Sequence, residues 1–122
     1  MIKKFDNYEL YKSWWEADGE VAPTLDSLPR LGMMYDDIGA CFLADTDTDF
    51  CIITWWYTNP DKTSREKYKA LDEMFNACIY LGEMIGKKKI FCYNNMRAII
   101  KLLESKGFIN YEGHLVKELS NG

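Results

Sequence analysis

The sequence predicts a mixed α/β domain whose sheet is mainly antiparallel and carries helices on both faces. Three observations predict it. Residues 33–58 hold short runs of strand formers separated by polar turns, the pattern of an antiparallel meander. The last of those runs, residues 50–58, is apolar on both sides, as in a strand buried within a sheet that is covered on both faces. A long amphipathic helix then separates it from another short strand at residues 89–93, and a helical crossover of that kind joins parallel neighbours.

Each element has its own local warrant. Asp6, with Glu9 three residues on, reads as the cap of a first helix that carries Tyr8, Tyr11, Trp14 and Trp15 at helical spacing and stops at Gly19. Residues 21–31 contain Pro23 and Pro29 and read as an ordered connector, because proline cannot donate to a sheet ladder. A strand begins at Gly32 or Met33 and turns at residues 36–39. Residues 40–44 and 50–58 follow as strands joined by Asp45-Thr46-Asp47-Thr48-Asp49. On strict alternation Phe50, Ile52 and Trp56 share one side of the last strand, and Cys51, Ile53, Trp55 and Tyr57 share the other. Thr63 and Glu66 form a capping box that opens the long helix. Its apolar stripe is Tyr68, Leu71, Met74, Phe75, Cys78, Ile79 and Ile85, and Gly86 closes it. After the strand at 89–93, Asn94 or Asn95 caps a further helix that ends in Lys106-Gly107-Phe108, and residues 109–119 supply one or two closing strands.

With 122 residues, 48% of them hydrophobic and 15% aromatic, there is material for one core, so residues 1–122 read as a single domain. The longest uncharged run is the ten residues 50–59, too short for a membrane span, and no apolar stretch follows the first lysines as a signal peptide requires. The expectation is a soluble, cytoplasmic protein. Residues 1–61 carry a net −8 and residues 62–122 a net +4, a balance that disfavours nucleic acid as partner. It suggests a protein partner docked through the acidic hairpins of the N-terminal half, with Asp36, Asp37, Asp45, Asp47 and Asp49 free to project from turns.

The remaining constellations have plain readings. Cys41, Cys51, Cys78 and Cys92 lack any Cys-x-x-Cys pair and read as buried free thiols with no metal, a zinc site or a disulfide being the lesser alternatives. Asp45-Thr46-Asp47-Thr48-Asp49 opens like a calcium loop. Phe50 then stands at position six and Trp56 at position twelve, so the sequence reads as a polar turn. Lys87-Lys88-Lys89 reads as the solvated entry to a strand. His114 has no nucleophile motif nearby. Lys62, Arg65, Lys67 and Lys69 crowd the start of the long helix, where the dipole and unpaired N–H groups offer an anion site.

The order of elements, and above all the stretch Ile90-Phe91-Cys92-Tyr93-Asn94-Asn95-Met96-Arg97-Ala98-Ile99-Ile100-Lys101-Leu102-Leu103-Glu104-Ser105-Lys106-Gly107-Phe108, resembles the GNAT family of N-acetyltransferases. The family's strand, Asn, Ala-Ile-x-Leu-Tyr-Glu helix and Gly-Phe are similar to it. The Trp14-Trp15 pair and the Pro-rich connector look most like the small single-domain GNAT-like proteins of bacteriophages, which would place the chain in host cytoplasm. The resemblance implies a GNAT-type sheet, acetyl-CoA as cofactor and acyl transfer to an amine. It also implies a cofactor contact set of Tyr57, Thr58, Lys62, Thr63, Ser64, Arg65 and Asn95.

The departures from the family pattern are specific. Counted from Pro60, the glycines of its pyrophosphate loop fall on Ser64, Glu66 and Tyr68. The family's acid tyrosine falls on Leu103, which leaves Tyr93 and Tyr111 as stand-in acids flanking that helix. Residues 50–59 contain no carboxylate to act as base. The sequence therefore supports a GNAT-like protein with a degenerate cofactor loop, or else a non-catalytic module that docks a host or viral protein.

Overall fold

The structure is a computed structural model that describes residues 1–121. Its elements are β1 (Ile2–Lys4), α1 (Tyr8–Ala17), a 3-10 turn (Leu25–Ser27), β2 (Leu31–Tyr35), β3 (Gly39–Asp45), β4 (Phe50–Thr58), α2 (Ser64–Met84), β5 (Lys89–Tyr93), α3 (Arg97–Ser105), β6 (Ile109–Tyr111) and β7 (His114–Glu118). The seven strands form one sheet in the order β1-β2-β3-β4-β5-β7-β6, and only β4 and β5 are parallel. The mixed, mainly antiparallel sheet is the one expected. β1 is an addition that the three-residue run Ile2–Lys4 was too short to announce.

α2 and α3 lie on one face. Their Ala70, Leu71, Met74, Phe75, Cys78, Ile99, Leu102 and Leu103 enclose the main core with Cys41, Leu43, Cys51, Ile53, Ile90, Cys92 and Leu115 from the sheet. α1 lies on the other face. Tyr11 and Trp14 pack on Met34, Ala40 and Phe42 in a smaller, aromatic core. Gly32 makes room for it, since a Cβ there would stand 2.6 Å from the Phe42 ring.

Several local expectations are corrected. The α1 cap is Asn7, whose side chain accepts from the Leu10 N–H, rather than Asp6. Met96 occupies the α3 cap without a side-chain bond, and Asn94 instead accepts from the Met96 N–H at 2.7 Å. The α2 stripe is shifted, leaving Tyr68 and Ile85 exposed while Ala70 and Gly82 are buried. Strict alternation fails in β4, where Trp55 adopts φ 53° and Cys41 of β3 faces two residues in place of one. Beyond this bulge Trp56 joins Cys51 and Ile53 on the α2 face, while Tyr57 turns to α1. β4 is also covered by helix on both faces along only part of its length.

All four thiols are buried. Burial pushes Cys51 up to about 11 and Cys92 up to about 12, and holds Cys41 well above the ordinary thiol value. Desolvation, aided by Asp18, raises the Tyr57 phenol to about 12. These folded values lie above the unfolded ones of 9.0 and 10.0. The stability they contribute is therefore complete below pH 9 and is lost as pH rises towards 12. The midpoint of urea unfolding should fall steadily above about pH 9, and a midpoint constant up to about pH 11 would contradict these burials.

Candidate functional site

The parallel pairing of β4 and β5 runs from Phe50↔Lys89 to Ile53↔Cys92 and stops there. From Thr54 onward β4 has no β5 partner, so the sheet opens into a cleft beside the bulge. The bulge is held from the α1 side, where the buried Tyr11 hydroxyl donates to the Trp55 carbonyl at 2.7 Å. Trp55, 42% exposed, stands at the mouth, and the Trp15 ring stacks on Tyr57 at 4.3 Å. Across the cleft Tyr93, at the end of β5, lies 4.9 Å from the His114 ring, and Tyr111 is the cross-strand neighbour of His114. Tyr93, Tyr111 and His114 are all exposed.

The loop from β4 to α2 is tied to the β2–β3 turn. The Asn59 N–H donates to the Ile38 carbonyl at 2.8 Å, and the Asn59 side-chain amide donates to the Asp37 carbonyl at 2.9 Å. Lys62 pairs with Asp37 at 3.1 Å, which holds its ammonium above the ordinary value. At the start of α2 the capping box is complete. The Glu66 N–H donates to Thr63 Oγ1 at 3.1 Å, and Glu66 Oε1 accepts from the Thr63 N–H and hydroxyl, each at 3.0 Å. Those two donors hold the Glu66 carboxyl below its ordinary value.

These contacts decide how the expected cofactor set is disposed. A pyrophosphate at a helix N-terminus needs bare N–H groups and the positive dipole end. Here a carboxylate occupies that end, the Lys62 charge is turned to Asp37, and the Tyr68 side chain stands in place of a glycine. The residues do not fit the pyrophosphate of acetyl-CoA. Tyr57 is directed to α1, its hydroxyl donating to Asp18 Oδ2 at 2.6 Å, and Thr58 is paired with Gly39 of β3. Ser64 and Arg65 are exposed on the first turn of α2, and Asn95 is exposed in the loop before α3. Tyr93 stands at the cleft beside His114, whereas Tyr111 lies on the edge strand β6, two strands away from β5.

The acidic turns are less free than expected. Asp36 pairs with the N-terminal ammonium at 3.0 Å, Asp37 with Lys62, and Asp45 with Lys87 at 2.6 Å. Lys87, read as solvated, is buried. Its ammonium donates to the Thr46 and Thr48 carbonyls at 2.6 and 2.7 Å, so a lysine sits where the calcium-like sequence would place a cation. Among the described residues, no group of three His, Cys, Asp or Glu is placed to hold a metal, and no helix is long and apolar enough to cross a membrane.

Sequence reasoning did not find the Tyr11 hydrogen bond, the His114 contact or the Lys87 cage. All three join residues far apart in the chain, and no local pattern signals them.

No family model matches the chain, nor does any curated sequence. Solved structures do match. A chain of the NatC complex bound to Gag peptide and CoA superposes with a TM-score of 0.74 at 14% identity, covering 98% of both chains. The acetyltransferase of GNAT family from Staphylococcus aureus gives 0.70 at 9% identity, covering 98% of this chain and 99% of that one. The IAA acetyltransferase from Bacillus cereus gives 0.67 at 14%, with 98% and 99% covered. The sheet order, the single parallel pair and the opened cleft, together with these superpositions, establish that the chain has the GNAT acetyltransferase fold.

Proposed function

We infer that this is a GNAT-like protein of the small bacteriophage type whose cofactor loop is degenerate, and that it acts by binding rather than by acyl transfer from acetyl-CoA. The observation that carries the reading is the Thr63–Glu66 capping box, which puts a carboxylate at the helix end where the pyrophosphate would sit. The two negative groups would compete for the same donors, and phosphate approach would bring like charges together at the exposed end of the helix. The lack of a carboxylate in β4 and of a tyrosine at Leu103 points the same way.

The test is calorimetric titration with acetyl-CoA. Binding should be absent or weaker than about 100 μM, less than roughly 5.5 kcal/mol of affinity. Micromolar binding would overturn the reading. An acid role for Tyr93 or Tyr111 belongs to a chain that transfers, and the reading expects no acetyl-CoA turnover in wild type, Tyr93→Phe or Tyr111→Phe.

A second reading, a module docking a basic protein through the acidic half, is favoured by one feature. Asp47 and Asp49 make no ion pair among the described residues and sit on a hairpin that Lys87 holds in one shape. Charges so presented steer association more than they add affinity.

A further inference from the structure

The helices cover the sheet unevenly. α2 and α3 extend over one face from β2 to β7, whereas α1 on the other face reaches only β2, β3 and the C-terminal part of β4. On that second face the N-terminal part of β4 and all of β5, β7 and β6 lie bare, and Tyr93, Ile109 and Tyr111 are each more than half exposed. The cross-strand register sorts this surface into rows. Ile52, Phe91, Val116 and Ile109 stand side by side across the four strands as an unbroken apolar row. On one side of it run Tyr93, His114 and Tyr111, and on the other Lys89 and Glu118. A cavity of about 410 Å³ lies among Ile52, Phe91, Tyr93, His114 and Val116. Lys89 and Glu118 are the only charged side chains in these rows, and neither has an ion-pair partner among the described residues.

We propose that this face packs against the same face of a second copy of the chain, forming a two-fold dimer. β5 and β7 are the middle pair of the four bare strands. A two-fold axis parallel to them and midway between them sets β5 of one copy over β7 of the other, and β4 over β6. Each row then meets its own counterpart in complementary order. Phe91 meets Val116 of the second copy, Ile52 meets Ile109, Tyr93 meets His114, and Lys89 meets Glu118. The symmetry makes every pairing twice. α1 touches β4 at Trp55 and Tyr57, beyond Phe50–Ile53, the part of β4 that β6 of the second copy covers. Two sheets stacked in this way lie about 10 Å apart, each filling the other's apolar row.

The area sets the strength. Four strands about 4.8 Å apart and five residues of about 3.3 Å give roughly 300 Å² of projected face, and side-chain relief about doubles it in accessible area. The total from both copies, about 1,200 Å², is at the lower limit for a specific interface, so a weak, concentration-dependent dimer is expected.

The experiment is sedimentation equilibrium of the full chain, with circular dichroism to establish that each variant is folded. Between about 5 and about 500 μM the wild type should move from 14.3 kDa towards twice that mass. Phe91→Glu should remain monomeric. Lys89→Glu and Glu118→Lys each set like charges against one another twice and should weaken association about tenfold or more. An equimolar mixture of these two variants restores an opposite-charge pair at both positions, and should associate within about threefold of wild type. A wild type monomeric throughout, association indifferent to Lys89→Glu, or no recovery on mixing would each overturn the dimer. None of these outcomes depends on whether acetyl-CoA binds.

Discussion

Lys87→Met should cost about 3 kcal/mol of stability, a drop of about 10 °C in Tm for a domain of this size. The ammonium is buried and makes three charge-assisted contacts, to the Thr46 and Thr48 carbonyls and to Asp45. Methionine keeps most of the stem's volume and removes the donors. The two carbonyls, which face inward, are then left unpaired, and this desolvation penalty is the larger part of the loss. Asp45 is half exposed and returns to water at little cost. Urea unfolding measures the total, and amide exchange over residues 45–50 locates it. An unchanged midpoint would mean that water replaces the ammonium and that the hairpin is held elsewhere.

Tyr11→Ala should be costlier, at about 4 kcal/mol, because it empties the centre of the aromatic core. The Tyr11 ring lies 5.5 Å from both Phe5 and Phe42 and 6.4 Å from Trp14, and it is wholly buried. Tyr11→Phe separates the hydroxyl from the ring. It should cost about 1–2 kcal/mol, the penalty of leaving the Trp55 carbonyl without its donor. A left-handed non-glycine residue persists only where its surroundings hold it, and the Tyr11 bond is the tie observed at Trp55. In Tyr11→Phe, amide exchange should therefore accelerate at Trp55, Trp56 and Tyr57 more than at Ile52 or Ile53. Equal acceleration along β4 would show that the bulge needs no such tie.

The contrast between these residues explains what the sequence could disclose. The bounds of β4 and β5, the parallel crossover and the Thr63–Glu66 cap were legible because each depends on residues a few positions apart. The same cap bears on the candidate site. A Glu at the third helical position that closes a capping box sets a carboxylate beside the cluster of Lys62, Arg65, Lys67 and Lys69, and Lys62 is turned to Asp37. The bulge was not legible, since strict alternation assigns Trp56 and Tyr57 to the wrong faces and only the pairing with Cys41 reveals the extra residue. Lys87 could not be distinguished from Lys88 and Lys89 without knowing that the Asp45–Asp49 turn folds back over it.

The position of β7 bears on how the chain is assembled. It follows every other strand in the sequence, yet it lies inside the sheet between β5 and β6. During synthesis, which proceeds from the N-terminus, β5 would wait with an open edge carrying Ile90 and Phe91, and β6 would have no neighbour at all. β6 can enter only with β7 or after it, through the turn at Glu112-Gly113, and Leu115 and Leu119 reach the main core as β7 docks. Acquisition of the last two strands is thus a late step. A chain interrupted before His114 would leave the parallel pair exposed at its most apolar edge, a template for intermolecular strand addition.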